Sequence, residues 1–264
     1  MTGKVGVAGS SRLAVPALRL LRDARFEATG FASGGGQTAQ DATEFAKGLG
    51  TLIVMAADVA ETEALLFDTD ALVTRAPALE TLIICATLTP RYIRALRHRI
   101  PHRIAVIDAP ALGSFRQAAE GRLTFLVGGA VEAVEGAKPV LAALGQKVER
   151  MGSLGAGTSA KVLRDFLSAS GSAMTRLALD WAEAQGLDEP KLLDMLQASP
   201  ARPLVAAECD MSEFGMDTPA SDETVMSLIR DVEGALDAAL SDAHLTPPAA
   251  LRDAFRHLRG RALH

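Results

Sequence analysis

Residues 4–18 read Lys4-Val5-Gly6-Val7-Ala8-Gly9-Ser10-Ser11-Arg12-Leu13-Ala14-Val15-Pro16-Ala17-Leu18. Lys4 to Ala8 is a short apolar strand pattern, and Leu13, Ala17, Leu18 and Leu21 then recur at helical spacing. Pro16 suits the first turn of that helix, where its missing N–H costs little. The turn from Gly9 to Ala14 therefore joins a strand directly to a helix. Such a turn presents unpaired backbone N–H groups and a partial positive charge, which suits an anion. The dinucleotide fingerprint at this place is G-x-G-x-x-G or A. Gly9 supplies the tight turn and Ala14 the close helix–strand packing. Ser11 stands where a second glycine would let backbone approach a pyrophosphate. Ser10 and Ser11 add hydroxyl donors, Arg12 a charge, and Leu13 begins the helical face. Taken alone, the turn fits a dinucleotide loop and equally a plain βα turn in a domain that binds something else.

The alternation continues along the chain. Further strands are expected at 26–32, 51–55, 82–85, 103–107 and 123–127, with a last one at 147–151. Helical patterns fall at 38–47, 59–66, 90–97 and 131–144 between them. This order predicts an α/β Rossmann-type, doubly wound parallel sheet. Gly152-Ser153-Leu154-Gly155-Ala156-Gly157 then forms a glycine seam. Beyond it the pattern is helical at 159–185, 189–197, 222–243 and 248–263, with Asp222 as an N-cap and Pro247-Pro248 as a helix start. The expected division is a nucleotide-binding domain over 1–151 and an all-helical domain over 152–264.

Composition narrows the function. With 48% hydrophobic residues but only 4% aromatic, the 264-residue chain must fill its core with Ala, Leu and Val, as helices packed on a parallel sheet do. A net charge of −5 argues against a nucleic-acid binder, which carries a basic face. No apolar run reaches the ~20 residues that span a bilayer, and no leader pattern precedes the first strand, so a cytoplasmic protein is expected. Cys85 and Cys209 have no CxxC partners and read as small core residues or bystanders. His98, His102, His244, His257 and His264 form no metal-ligand pattern, and Pro101 interrupts the pair at 98 and 102, so no metal is expected. The second strand ends in Ala32-Ser33 followed by Gly34-Gly35-Gly36. Neither the acidic residue that holds an NAD ribose nor an arginine for NADP is there. Ser33 and the glycine amides remain as donors for a 2′-phosphate, the alternative being a plain flexible loop.

Later segments add a resemblance. Asp108-Ala109-Pro110-Ala111-Leu112-Gly113-Ser114 is followed by Gly121-Arg122-Leu123-Thr124-Phe125-Leu126-Val127-Gly128-Gly129. Lys138-Pro139-Val140-Leu141 then precedes Gly155-Ala156-Gly157-Thr158-Ser159-Ala160-Lys161. Together with the first turn and with Ala86-Thr87-Leu88-Thr89-Pro90, this order resembles the β-hydroxyacid dehydrogenase family, relatives of 3-hydroxyisobutyrate and 6-phosphogluconate dehydrogenases. The resemblance implies a Rossmann domain holding NAD or NADP, the choice between them open. It also implies a helical domain that closes the cleft and makes a homodimer, and oxidation of a hydroxyl β to a carboxylate on a small molecule. The family's catalytic lysine falls on Lys161 and its substrate loop on Leu112, Gly113 and Ser114. Its cofactor side falls on the turn from Gly9 to Ala14, with Met55, Ala56 and Thr87, and on Arg230 in the last long helix, where the family more often has lysine.

The implied chemistry gives Lys161 the proton. As hydride leaves the substrate carbon, a lysine whose pKa is lowered from ~10.4 by desolvation can take the hydroxyl proton. The bland alternative is a surface lysine pairing with Asp165 one turn on. Two departures bear on the substrate. Leu112 replaces a serine that donates to the substrate carboxylate, leaving Ser114 as the nearest hydroxyl. Asp165 replaces an asparagine; a carboxylate there raises the lysine pKa and repels an anionic substrate. Three readings follow: an NAD(P)-dependent oxidoreductase using Lys161, a divergent dinucleotide-binding sensor or interaction protein, and an imine-reductase-like enzyme, against which the retained lysine counts.

Overall fold

The strands are apolar on both sides, and the reason is a sheet covered on both faces. Residues 3–32 and 41–198 are described in the computed structural model. In chain order the elements are β1 (Lys4–Ala8), α1 (Ala14–Asp23), β2 (Ala28–Phe31), α2 (Ala42–Ala46), β3 (Leu49–Val54), α3 (Val59–Leu66), α4 (Leu72–Arg75), β4 (Thr81–Ile84), α5 (Pro90–Arg99), β5 (Ala105–Asp108), β6 (Ala111–Leu112), α6 (Phe115–Ala119), β7 (Leu123–Gly128), α7 (Val131–Leu144), β8 (Gly145–Gly152), α8 (Ala156–Ala184) and α9 (Glu189–Ala198). Successive strand residues point to opposite faces. Leu52, Val54, Leu82 and Ile84 pack under Phe45, Leu65, Leu66, Leu72, Ile93 and Leu96 of α2 to α5. Val5, Val7, Ile53, Ile83 and Ile107 pack on the other side under Ala17, Leu21, Val134, Val140, Leu141 and Leu144 of α1 and α7. Burial on both faces gives the near-continuous apolar runs of parallel strands.

The sheet order is β2-β1-β3-β4-β5-β7-β6, with β8 beside β7. β1 to β5 are parallel. β7 runs antiparallel to β5, and β8 runs parallel to β7. The chain leaves β1 to one side for β2 and returns to the other side for β3. β1 is therefore a topological switch point, where ligands enter the crevice at the carboxyl ends of the strands.

The expected α/β doubly wound sheet is present, with differences of local origin. The two-residue β6 and the short helices α4 and α6 are too brief to carry a periodicity. The second strand starts at Ala28 rather than 26 because Phe26 closes the exit of α1, its N–H donating to the Leu21 carbonyl after Arg25 turns at φ 69°. α8 begins at Ala156, earlier than 159.

The chain divides into two compact units, Met1–Lys161 and Val162–His264. Of the second, residues 162–198 are described and comprise the rest of α8 and α9. Among the described residues no helix is long and apolar enough to cross a membrane, and no cluster of ligating side chains fits a metal ion. Ser33, Gly34 to Gly36, Cys209, Arg230, His244, His257, His264 and the helices expected at 222–243 and 248–263 lie outside the described residues.

Candidate functional site

The loops leaving the carboxyl ends of β1 to β4 are laced together through backbone. Gly9 N–H donates to the Phe31 carbonyl at 3.0 Å, Met55 N–H to Ala8 at 2.7 Å, Ser11 N–H to Met55 at 3.0 Å and Cys85 N–H to Val54 at 2.9 Å. Gly9 is demanded twice over. Its φ is +130°, and a Cβ there would stand 2.3 Å from the Met55 carbonyl oxygen, far inside contact distance. Met55 and Ala56 are buried behind this turn. The turn closes with Ala14 N–H donating to the Ser11 carbonyl at 2.9 Å and Leu13 N–H to Ser11 Oγ at 3.3 Å. Ser11 is therefore a brace inside the turn. Arg12 is exposed beside it.

Ser10 faces outward, and its donors converge on an anion. Its N–H donates to Glu61 Oε1 at 2.6 Å, and its hydroxyl to Glu61 Oε2 at 2.7 Å. Ala57 N–H donates to the same Oε2 at 2.7 Å. A carboxylate held by two backbone N–H groups and a hydroxyl stands in for the oxygens of a phosphate, so this turn fits a dinucleotide pyrophosphate. Thr87 is half-buried just past β4, next to the start of α5, where Thr89 caps the helix by accepting from Tyr92 N–H at 3.2 Å. Burial pushes the thiol of Cys85 up to about 12, which leaves no thiolate near neutral pH.

A second constellation lies at the end of β5. The Asp108 carboxylate is fully buried. It accepts from Gly155 N–H at 2.7 Å, Thr158 N–H at 2.6 Å and the Thr158 hydroxyl at 2.8 Å. These are donors at the N-terminal end of α8, and a carboxylate is favoured there by the helix charge. This remote cap lets α8 begin ahead of the expected residue 159. The seam glycines have a packing reason too, since a Cβ on Gly157 would lie 2.2 Å from the Leu126 carbonyl oxygen of β7. Lys161 stands three residues beyond Thr158 on α8 and is half-buried. Asp165, one turn further, is buried and accepts from Arg164 Nη1 at 3.0 Å.

The residues expected to form a substrate loop have structural duties. Leu112 is in β6, opposite Thr124 of β7. Gly113 turns the chain at φ +137°. Ser114 caps α6 in a reciprocal box: its Oγ accepts from Gln117 N–H at 3.2 Å, and its N–H donates to Gln117 Oε1 at 2.8 Å. Sequence reasoning missed Asp108 and Glu61. Asp108 opened a motif that was read only for its later residues. Glu61, three residues after the Asp58 N-cap, resembled an ordinary capping-box acid.

Known proteins share this architecture. The family model for the NAD binding domain of 6-phosphogluconate dehydrogenase matches residues 21–152, half of the chain, beginning inside α1. The NAD-dependent L-serine dehydrogenase of Pseudomonas aeruginosa is 32% identical over 171 residues, covering 64% of this chain and 57% of that protein. The 3-hydroxyisobutyrate dehydrogenase of the same organism is 30% identical with the same coverage. The chain thus spans little more than half the length of the curated relatives it matches. The solved 3-hydroxyisobutyrate dehydrogenase of Mycobacterium tuberculosis with L-serine has this fold, with a TM-score of 0.79 and 21% identity over 98% of this chain and 94% of that one. With a doubly wound sheet, an anion-holding turn at its switch point and a family match that runs from α1 through β8, the chain belongs to the β-hydroxyacid dehydrogenase family, whose cofactor is NAD or NADP.

Proposed function

We propose that the chain is an NAD(P)-dependent oxidoreductase that acts on the hydroxyl of a small hydroxyacid or on a related carbonyl compound, with Lys161 as general acid/base. The observation that carries this reading is the Asp108 cap. It fixes the first turn of α8, and with it the Gly155-to-Lys161 segment, to the carboxyl edge of the nucleotide-binding sheet. A general base needs a fixed position more than any other property.

The turn from Gly9 to Ala14, with Met55, Ala56 and Thr87, holds the dinucleotide, joined by Ser33 and Arg230. The dinucleotide, when bound, accepts or returns hydride at the substrate carbon. Lys161 takes the proton of the substrate hydroxyl in oxidation and returns it to the carbonyl oxygen in reduction. Ser114 offers its hydroxyl proton to the substrate carboxylate, a contact Leu112 cannot make. Asp165, held by Arg164, lines the substrate side. The helical domain from 152 onward pairs two chains.

The test uses the full chain. NADH and NADPH are titrated by fluorescence, and L-serine, 3-hydroxyisobutyrate, L-threonate and cyclic imines are screened for turnover. Lys161→Ala is expected to keep cofactor affinity and lose turnover. Full turnover in that variant overturns the assigned role. A second reading, a dinucleotide-binding sensor without turnover, is favoured by Leu112 and Asp165 at the substrate side. Cofactor binding with no turnover of any compound in the screen supports it.

A further inference from the structure

We infer that Glu61 is an internal competitor of the cofactor: its carboxylate occupies the outward-facing donors of Ser10 in the turn after β1, and a dinucleotide must displace it or share those donors to bind. This rests on the reading of that turn as the pyrophosphate site. Four of the six backbone N–H groups from Gly9 to Ala14 are spent within the fold. Gly9 N–H is taken by the Phe31 carbonyl, Ser11 N–H by Met55, Leu13 N–H by Ser11 Oγ and Ala14 N–H by the Ser11 carbonyl. Those bonds build the turn itself. Ser10 presents its N–H and its hydroxyl together to a partner outside the turn, and both go to Glu61, 51 residues away, at 2.6 and 2.7 Å.

Helix capping does not account for this arrangement. An acid at the third position of a helix ordinarily reaches back to the N-cap N–H. Glu61 does reach back, to Ala57 N–H just before the Asp58 N-cap, at 2.7 Å. The Asp58 side chain already caps α3, accepting from Glu61 N–H at 2.8 Å. One oxygen, Oε2, suffices for Ala57, yet the carboxylate is turned so that both its oxygens engage Ser10. The result is a strap of charge-assisted hydrogen bonds across the switch point, from the loop after β1 to the start of α3.

A pyrophosphate brought to Ser10 meets a negative charge at hydrogen-bond distance from the donors it needs. Either the carboxylate leaves and loses three short bonds, or two anions share one set of donors. Both routes weaken cofactor binding. Glu61→Gln removes the charge while its side-chain oxygen still accepts from Ala57 N–H. Because the pyrophosphate is common to both cofactors, the gain applies to NADH and NADPH alike.

The experiment compares full-length wild type with Glu61→Gln and Glu61→Ala. NADH and NADPH are titrated by fluorescence and inorganic pyrophosphate by calorimetry; thermal unfolding reports that each variant folds. Glu61→Gln is expected to lower the Kd of both dinucleotides about tenfold or more, the scale of losing a charged hydrogen-bonded competitor, and to create measurable pyrophosphate binding. Glu61→Ala gives the same direction, and it decides the question if the glutamine variant does not fold. An unchanged Kd in wild type and variants overturns the inference and leaves the cofactor reading intact. Weaker binding in the variants also overturns it, since Glu61 is then a cofactor ligand. A gain confined to NADPH overturns it as well, because the carboxylate then acts on the 2′-phosphate. Binding of neither dinucleotide by any of the proteins overturns the cofactor reading, and this inference with it.

Discussion

Gly9 bears the strictest demand of any residue in the turn, because backbone rather than side chain lies against it. The Met55 carbonyl that a Cβ would strike also accepts from Ser11 N–H at 3.0 Å, so it cannot retreat without opening the turn. Gly9→Ala adds this collision to a backbone angle that L-residues avoid, a strain on the order of 1–3 kcal/mol before any clash. The variant is expected to have a lower urea midpoint than wild type and no measurable NADH binding. A midpoint within error of wild type contradicts this account of the glycine. The same pair of residues shows what single positions reveal in sequence. Gly9 was legible because its motif is local: a strand, one glycine and a helix. Glu61 was not, since its meaning lies in Ser10, 51 residues away, and nothing in the spacing of either residue records the contact. Ser11 was legible as part of the turn, and its backbone N–H is spent inside it, donating to the Met55 carbonyl.

The start of α8 depends on a residue from another element. Asp108, at the end of β5, serves the N–H groups of Gly155 and Thr158 and the Thr158 hydroxyl, all shielded from solvent. Asp108→Ala strands those donors at about 1–3 kcal/mol for each buried group left unsatisfied. Asp108→Asn keeps one accepting oxygen and is expected to fall between wild type and the alanine variant. Urea unfolding checks the order. Hydrogen exchange locates the loss, with the amides of Gly155 and Thr158 expected to lose protection first. Equal stability of all three proteins would show that the cap contributes nothing. Most elements were readable because a strand or helix buried on a fixed face writes its period into the sequence. α3 and α7 fall on the expected residues, 59–66 and 131–144, and β1 on 4–8. The elements that escaped are those set by contact. β6 exists through two residues pairing with β7, α6 through the Ser114–Gln117 box, and the first turn of α8 through Asp108.

The stability of the whole molecule depends on pH and on ligand, and the two can be read separately. Glu63 of α3 accepts from both Arg99 nitrogens, at 2.6 and 2.8 Å, and from the Tyr92 hydroxyl at 2.6 Å. The hydrogen bond from Arg99 holds its carboxyl below the ordinary 4.5. A carboxyl lowered on folding stabilises the fold above its unfolded pKa and loses that contribution as pH falls through the folded value. Glu63→Gln is thus expected to be less stable than wild type at neutral pH and to lose less on going below about pH 4.5; parallel pH–stability curves would remove this tie from the acid response. Ligand acts through mass action on the folded state alone. A dinucleotide at a hundred times its Kd adds about 2.7 kcal/mol to the folded state, independent of turnover. Saturating NADH or NADPH is therefore expected to raise the melting temperature of the wild-type chain, to raise that of Lys161→Ala equally, and to leave Gly9→Ala unmoved. The comparison works because it needs no substrate: it separates a turn proposed to hold cofactor from a lysine proposed to move a proton. A shift in wild type that disappears in Lys161→Ala would place the lysine in the cofactor site, and a shift that persists in Gly9→Ala would move the cofactor away from the turn after β1.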